Sequence, residues 1–367
     1  MNWKSKIFVV GSAVTATMVL FCTVGCDYDE NGKTKEPVYQ TTNVQPFFAS
    51  GSTFIAPLIT RWGADYEKSH PVHVNYHPIG SGGGIENLRK GSGAFAASDA
   101  PLSDDQLQGL PSIVQIPVTA GPVCVIYNVP GINTQLRLSG STLAGIFAGD
   151  IISWQDSAIA RDNPGVKFPH AAIIVVHRSD GSGTTNIFTN YLSKVSASWS
   201  TKLGNGLAVQ WPAGIGGDGS SAVLAAVKHN PGTIGYLELS YAKSEGLAVA
   251  SIQNRAGEFV IPTPQSAYLA VSAATEMLAQ DVRTPVVDPP ASAKGAYPIT
   301  GLSFILIPKD NTHGRQEQQA LKGFIAYSLS TGQDIAEQLS YSKLPSAVQK
   351  QGEAALAQLT ENGQPLK

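Results

Sequence analysis

Short apolar runs rich in β-branched residues alternate with segments whose apolar positions recur every three or four residues. The runs are "VHVNY" from position 72, "IVQIPVT" from 113, "VCVIYNV" from 123, "AIIVVHR" from 172, "TIGYLEL" from 233 and "LSFILIPK" from 302. A helical stripe follows Ser182, with apolar residues at Ile187, Phe188, Tyr191, Leu192 and Val195. Strand, helix and strand in series predict an α/β protein with largely parallel sheets.

Four of the predicted helices begin in a turn made of glycine and small hydroxyl residues. These turns are "SGSTF" at 50, "IGSGGGI" at 79, "SDGSGTT" at 179 and "GGDGSS" at 216. The first N–H groups of a helix have no partner inside it and lie at the positive end of the peptide dipoles, so they favour a nearby anion. Ligands of α/β sheets bind where such turns follow the strands. Several helices could therefore face one small anion, although four independent helix caps remain an alternative.

The stretch "HRSDGSGTTNIF" from position 177 carries the strongest of these signals. Arg178, Ser182 and Thr184 can donate hydrogen bonds, and Gly183 allows the backbone to approach a ligand closely. No lysine follows the glycines in the arrangement of a Walker loop. The stretch indicates an anion site built from donors, or simply a capped helix start.

A possible acceptor lies in "GAFAASDAPLS", where small residues flank Asp99. A carboxylate receives no hydrogen bond from a fully deprotonated anion such as sulfate, but it can accept one from the O–H group of hydrogen phosphate. A buried acceptor without a partner costs about 1–3 kcal/mol, so this difference discriminates between the two anions. The alternative role of Asp99 is to cap the following "PLSDDQL" segment.

Composition limits the other functions that the chain could have. Its 367 residues, 43% of them hydrophobic, can bury a large core divided over two or three domains. The formal net charge of −2 argues against a broad nucleic-acid surface, so we expect no nucleic-acid partner. An anion site must therefore be formed by a few neighbouring groups and not by a broad positively charged surface.

The amino terminus has the pattern of an export signal. Two lysines precede an apolar stretch in residues 1–25, which we interpret as a signal peptide. "CTVGC" then offers Cys26 for lipidation, although Thr23 stands where such signals usually carry leucine, and a plain secretory signal is the alternative. Polar residues 26–46 predict a lipid-anchored tether. The protein is then exported, periplasmic or at the cell surface, and Cys124 has no partner for a disulfide.

Five motifs together resemble one known family. "SGSTFIAPL", "IGSGGGI", "AASDAPLS", "HRSDGSGTTNIFTNYL" and "PGTIGYLEL" occur in the order and spacing of the phosphate-binding proteins of phosphate-specific (Pst) ABC transporters, and the resemblance extends from about Phe47 onward. It implies a two-lobed periplasmic-binding-protein fold of type II, with a ligand cleft between the lobes and a two-strand hinge. Lobe 1 would comprise residues 47–118 plus 298–367, and lobe 2 residues 119–297.

The resemblance also implies the site residues and the function. Asp99 would accept the phosphate proton, and Asp180 would pair with Arg178 behind the ligand. The residues expected to contact phosphate are Thr53, Phe54 through its backbone, Ser81, Asp99, Arg178, Ser182, Gly183 and Thr184. The protein would be a monomer without metal or cofactor that binds phosphate tightly and delivers it to the membrane permease subunits of an ABC transporter.

Two other functions remain as alternatives. An exported phosphatase needs an activated nucleophile or a metal, and only His177 lies near Ser182 in the sequence. The cluster of His70, His73 and His77 lacks the carboxylates or cysteines expected of a metal site. We therefore expect no enzyme activity. A binder of another oxyanion, such as sulfate or molybdate, would not need Asp99.

Overall fold

The structure is a computed structural model that describes residues 45–132, 134–310 and 315–366. The predicted signal peptide, Cys26 and all but the end of the predicted tether lie outside these residues. Within them, every helix is too short or too polar to cross a membrane.

The main strands are those expected, with one fusion and several short additions. In chain order they are β1 (Gln45–Gly51), β2 (Val72–Pro78), β3 (Phe95–Ser98), β4 (Ile113–Asn128), β5 (Arg137–Leu138), β6 (Ile174–Arg178), β7 (Ile215–Gly217), β8 (Thr233–Glu238), β9 (Ala248–Val249), β10 (Ser251–Gln253), β11 (Phe259–Val260), β12 (Thr300–Pro308), β13 (Thr360–Glu361) and β14 (Gln364–Pro365).

Helices fill most of the segments between these strands. They are α1 (Ala56–Tyr66), α2 (Gly80–Arg89), α3 (Asp104–Leu107), α4 (Gly140–Phe147), α5 (Ser157–Asp162), α6 (Gly183–Val195), α7 (Ala197–Lys202), α8 (Gly219–His229), α9 (Leu239–Ser244), α10 (Pro264–Ala273), α11 (Thr275–Gln280), α12 (Arg315–Leu329), α13 (Gly332–Gln338) and α14 (Ser346–Leu356).

One long strand joins two sections of a single sheet, whose strand order is β2-β1-β3-β12-β4-β8-β6-β7. Residues 113–122 of β4 pair with β12, and residues 123–128 pair with β8. We call the strands β2, β1, β3 and β12 with the first part of β4 the first section, and the rest of β4 with β8, β6 and β7 the second section. The two predicted runs, which residues 120–122 separate in the sequence, thus belong to one strand of 16 residues.

The sheet is mixed, not largely parallel as the alternation of elements predicts. Parallel pairs lie at the two ends, where β1 pairs with β2 and β3, and β6 pairs with β7 and β8. The pairs β3–β12, β12–β4 and β4–β8 in the centre are antiparallel. The cause is the path of the chain, because β4 leaves the first section and β12 returns to it in the opposite direction. The α/β fold class is confirmed.

The helices pack on the sheet through the apolar stripes that the sequence shows. Helix α1 buries Leu58, Ile59 and Trp62, and the Trp62 Nε1 donates to the Gly332 carbonyl at 2.7 Å. Helix α6 buries the predicted stripe from Ile187 to Leu192. Its N-cap is Ser182, so the predicted start of this helix is confirmed.

The parallel arrangement at each end of the sheet determines where the Gly/Ser turns lie. Strands β1, β2 and β3 are parallel neighbours, so the loops that follow them share one edge of the first section. Strands β6, β7 and β8 bring the loops that follow them to one edge of the second section in the same way. Helices α1, α2, α6 and α8 begin in these loops.

Gly51 marks the tightest of these loops and gives a test of the fold. Its φ is +138°, and an added Cβ would overlap the Ala97 carbonyl oxygen, a backbone atom of the neighbouring strand β3. We predict that Gly51→Ala lowers the free energy of unfolding by about 3 kcal/mol or more. Gly91, with φ of +68° and open space around it, is the matched control and should cost about 1 kcal/mol on change to alanine. Urea unfolding compares the two, and an equal loss would contradict the close approach of β1 and β3.

Candidate functional site

The loops after β1, β2 and β3 bring Thr53, Ser81 and Asp99 together. All three are buried, and Asp99 is only 3% exposed. The Ser81 Oγ accepts from the Asp99 N–H at 3.3 Å. Ser52 Oγ donates to Asp99 Oδ2 at 2.5 Å, and Ser303 Oγ donates to Oδ1 at 2.8 Å. Each carboxylate oxygen of Asp99 therefore has a hydroxyl partner.

Burial raises the pKa of Asp99 to about 6. The hydrogen bonds from Ser52 and Ser303, and the positive charge of Arg178, act against burial and favour the ionised form. The carboxylate is thus an acceptor near neutral pH, and the alternative that Asp99 caps the next helix is wrong, because Ser103 caps α3.

The second section contributes a cation and the start of a long helix. Arg178 ends β6 and is 4% exposed. Its Nε donates to Asp180 Oδ1 at 2.6 Å, and its Nη2 donates to Oδ2 of the same side chain. Although burial raises the pKa of Asp180, the hydrogen bonds and charge of Arg178 outweigh it and the pKa is lowered. This paired geometry matches the contact expected between the two residues.

Helix α6 begins beside this ion pair. The Ser182 Oγ accepts from the Thr185 N–H at 3.1 Å and caps the helix. The Thr184 hydroxyl is buried and has no hydrogen-bond partner among the residues that the structure describes. A buried hydroxyl without a partner is costly, so this group is ready to bind a polar ligand.

The two sets of loops touch each other. A Cβ on Gly183 would lie 2.5 Å from Ser81 Oγ and 2.8 Å from the Asp99 backbone nitrogen, so only glycine allows this approach. The Gly82 N–H donates to the Gly181 carbonyl at 2.8 Å. The residues expected around the ligand thus lie in one cluster built from both sections.

Two of the expected contacts need a separate description. The Thr53 hydroxyl lies 2.8 Å from Ser220 Oγ and accepts from the Ser220 N–H at 3.3 Å. The Phe54 N–H donates to Ser52 Oγ at 3.0 Å. Ser52 thus lies between Phe54 and Asp99. Cys26, the expected lipidation site, lies outside the described residues.

Ser52, Ser220 and Ser303 belong to this cluster and were not among the predicted site residues. Ser52 and Ser220 do lie in the Gly/Ser turns that the sequence singles out. Ser303 is a polar residue in the middle of the apolar run of β12, and that position was its only signal. Its partner Asp99 is 204 residues away along the chain.

The cluster has the chemistry of a binding site. Hydroxyls, backbone N–H groups and the Arg178 guanidinium supply donors. The Asp99 carboxylate supplies an acceptor, while the Asp180 carboxylate is paired with Arg178. His177 stacks on Trp211 at 4.9 Å between ring centroids, and its Nδ1 lies 3.0 Å from the Arg178 carbonyl oxygen. Within residues 45–132, 134–310 and 315–366, no three His, Cys, Asp or Glu side chains are grouped to hold a metal ion.

Comparisons with known proteins agree with this geometry. The family model described as PBP superfamily domain matches residues 35–331. A protein of Xylella fastidiosa named phosphate-binding protein PstS is 40% identical over 333 residues, which cover 90% of each chain. A protein of Methanocaldococcus jannaschii with the same name is 38% identical over 85% of this chain and 86% of its own. This chain belongs to the PstS family. The family resemblance carried by the five motifs is confirmed.

Solved structures support the fold of this PstS-family chain. A phosphate-binding protein from Stenotrophomonas maltophilia has a TM-score of 0.66 at 21% identity, covering 84% of this chain and 93% of its own. A putative phosphate ABC transporter substrate-binding protein from Clostridium perfringens has a TM-score of 0.60 at 19% identity, covering 82% of this chain and all of its own. The periplasmic-binding-protein fold expected from the sequence is confirmed.

Glu238, in the "PGTIGYLEL" motif, is a second buried carboxyl group near the site. It ends β8 opposite Val123, where β4 passes between the sections. Oε2 accepts from the N–H and Oγ of Ser240, and Oε1 is also buried. Burial raises the pKa of Glu238 to about 8, and the charge of Asp99 adds to the effect. The side chain is therefore neutral at pH 7 in the folded chain.

This raised pKa predicts how stability depends on pH. Above about pH 4.5 the unfolded chain loses the Glu238 proton, but the folded chain retains it to about pH 8, so stability falls across that window. Glu238→Gln removes this titration. One pKa unit corresponds to about 1.4 kcal/mol. We therefore expect the free energy of unfolding of the variant, relative to that of wild type, to rise by roughly 2–4 kcal/mol from pH 4.5 to pH 8.5.

Urea unfolding at the two pH values measures this gain. Glu245→Gln is the control. The hydrogen bond from Lys228 lowers the pKa of this exposed carboxyl, so its contribution to stability changes with pH in the opposite direction. A Glu238→Gln difference that is equal at both pH values would contradict the buried, neutral side chain.

Proposed function

We propose that this chain binds inorganic phosphate outside the cytoplasmic membrane and delivers it to the permease of an ABC transporter. Its relatives named PstS are phosphate-binding proteins by name, and they match it over most of their length. The observation that carries the proposal is the buried carboxylate of Asp99 beside the amino-terminal end of α6, while the other carboxylate there, Asp180, is paired with Arg178.

The acceptor explains the choice of phosphate over sulfate. Hydrogen phosphate donates its O–H to Asp99 and accepts from the surrounding hydroxyls and N–H groups. Sulfate at neutral pH has no proton to donate. The lone pairs of Asp99 that Ser52 and Ser303 do not use then stay unfilled, and the carboxylate repels the anion. Discrimination of about tenfold to a few hundredfold follows before charge repulsion is added.

Donors from both sections can contact one small anion. Ser81 and the Thr53 hydroxyl approach from the first section, and Ser182, Gly183 and Thr184 approach from the second. Arg178 contributes its charge, moderated by Asp180. Exclusion of water from a buried site strengthens each of these hydrogen bonds.

Binding without turnover is the role that the chemistry supports. The Ser182 hydroxyl accepts from the Thr185 N–H, and the His177 ring packs on Trp211, so this pair lacks the contact that activates a nucleophile. The exported phosphatase is therefore not supported. A sulfate or molybdate binder is disfavoured by the buried carboxylate.

The remaining parts of the proposal concern the whole protein. We propose that the first and second sheet sections form two lobes, residues 47–118 plus 298–367 and residues 119–297. The hinge would lie at two crossings, where β4 leaves the first section and where the chain returns to it near Ile299. The Val123 N–H donates to the Ile299 carbonyl and joins the two crossings. The chain would be exported as a monomer, with Cys26 as its anchor.

Calorimetric titration with phosphate and then sulfate tests the function. We expect tight one-to-one binding of phosphate with little response to sulfate. Asp99→Asn should lose the preference, because the amide is uncharged and no longer repels sulfate, and its Nδ2 group can donate to either anion. Equal binding of the two anions by wild type, or none, would refute the proposal.

The Thr184 hydroxyl allows affinity and stability to be separated. Thr184→Val keeps the shape of the side chain and removes only a buried hydroxyl that has no partner. We expect phosphate affinity to fall about tenfold, while the ligand-free chain keeps its stability or gains about 1 kcal/mol.

Ser193→Ala is the control for this variant, since Ser193 Oγ in the same helix is also buried without a partner. It should leave phosphate affinity unchanged in the same titration. If Thr184→Val binds phosphate as wild type does, the Thr184 hydroxyl is not a ligand.

A further inference from the structure

Three tyrosine hydroxyls hold three successive carbonyl groups of the loop after β1. The donor-acceptor pairs are Tyr76 with Ser52 at 2.8 Å, Tyr241 with Thr53 at 2.7 Å and Tyr341 with Phe54 at 2.6 Å. A carbonyl oxygen repels an anion, so each of these bonds turns a repulsive group toward a hydroxyl.

Peptide geometry extends the effect to the N–H groups. The peptide unit is planar and trans, so a C=O and the N–H of the next residue point in opposite directions. The bond from Tyr241 to the Thr53 carbonyl therefore sets the direction of the Phe54 N–H. That N–H points to Ser52 Oγ, which is itself bonded to the Asp99 carboxylate.

Tyr241 differs from the other two tyrosines in its origin. Tyr76 lies on β2, and Tyr341 precedes Ser342, which bridges Ala120 of β4, so both belong with the first section. Tyr241 lies on α9, directly after β8 of the second section. Its bond to the Thr53 carbonyl thus connects the two sections.

Thr53 is held from the second section at its side chain as well. The Ser220 N–H donates to Thr53 Oγ1, and the two hydroxyls are 2.8 Å apart. One residue of the first section is therefore bound at both its backbone and its side chain by groups from the second. The hydroxyl of Tyr241 supplies the part of this contact that orients the next peptide unit.

We propose that Tyr241 is a positioning residue: by holding the Thr53 carbonyl it keeps the Phe54 N–H on the side of the loop where Ser52 Oγ and Asp99 lie, the side on which phosphate would bind. The inference rests on the proposed function, since it assigns a role within the same site. If the proposed lobes close on a bound anion, a bond between the sections forms after capture, so its loss affects phosphate release more than capture.

Tyr241→Phe tests this role in the full-length chain. We expect its dissociation constant for inorganic phosphate to rise about tenfold, as expected for one lost hydrogen bond. The rise should appear in the release rate, measured by chasing radiolabelled phosphate with unlabelled phosphate, and not in the association rate. With ¹⁵N-phenylalanine labelling, the downfield shift of the Phe54 amide proton on phosphate addition should shrink.

Tyr327→Phe is the matched control. Its hydroxyl donates to Asp65 at 2.5 Å, within the first section and away from the loop after β1. It should leave the phosphate rates and the Phe54 shift unchanged, and the two variants should have similar urea midpoints without phosphate.

The outcomes separate this inference from the proposed function. If wild type binds phosphate and Tyr241→Phe keeps the wild-type release rate and amide shift, the positioning role is wrong and the proposed function stands. If wild type fails to bind phosphate, the proposed function fails and the positioning role falls with it.

Discussion

The constraint on which the site depends is a buried carboxylate that needs a partner on each oxygen. Ser52 and Ser303 provide those partners, one from the loop after β1 and one from the middle of β12. These bonds and the nearby charge of Arg178 favour the ionised form of Asp99 against the effect of burial. The arrangement retains an acceptor among hydroxyl and N–H donors. In the proposed function, that acceptor distinguishes a protonated anion from an unprotonated one.

The sheet makes this convergence possible. Parallel strands at each end of the sheet bring their following loops to one edge, and the long strand β4 joins the two ends in one continuous structure. Donors from α6 therefore meet the carboxylate that follows β3, although nearly eighty residues separate Asp99 from the ion pair of Arg178. Glycines at the contact, such as Gly183, allow the backbones to approach closely.

Local patterns predicted the parts of the site that are local. Apolar periodicity and a Gly/Ser turn placed the start of α6 at Ser182, and small flanking residues singled out Asp99. The family resemblance supplied their grouping. Ser303 and Tyr241 could not be predicted in this way, because their partners are 204 and 188 residues distant and no local pattern encodes such contacts. The continuity of β4 was missed because Gly121 and Pro122 are residue types that usually interrupt a strand.

The most direct measurement is a crystal structure of the protein grown with inorganic phosphate. The account predicts one phosphate enclosed by the loops after β1, β2, β3 and β6. One phosphate oxygen should lie within hydrogen-bond distance of an Asp99 carboxylate oxygen, and the Thr184 hydroxyl should donate to another. Phosphate found only on the surface, or bound between the sections without contact to Asp99, would contradict the account.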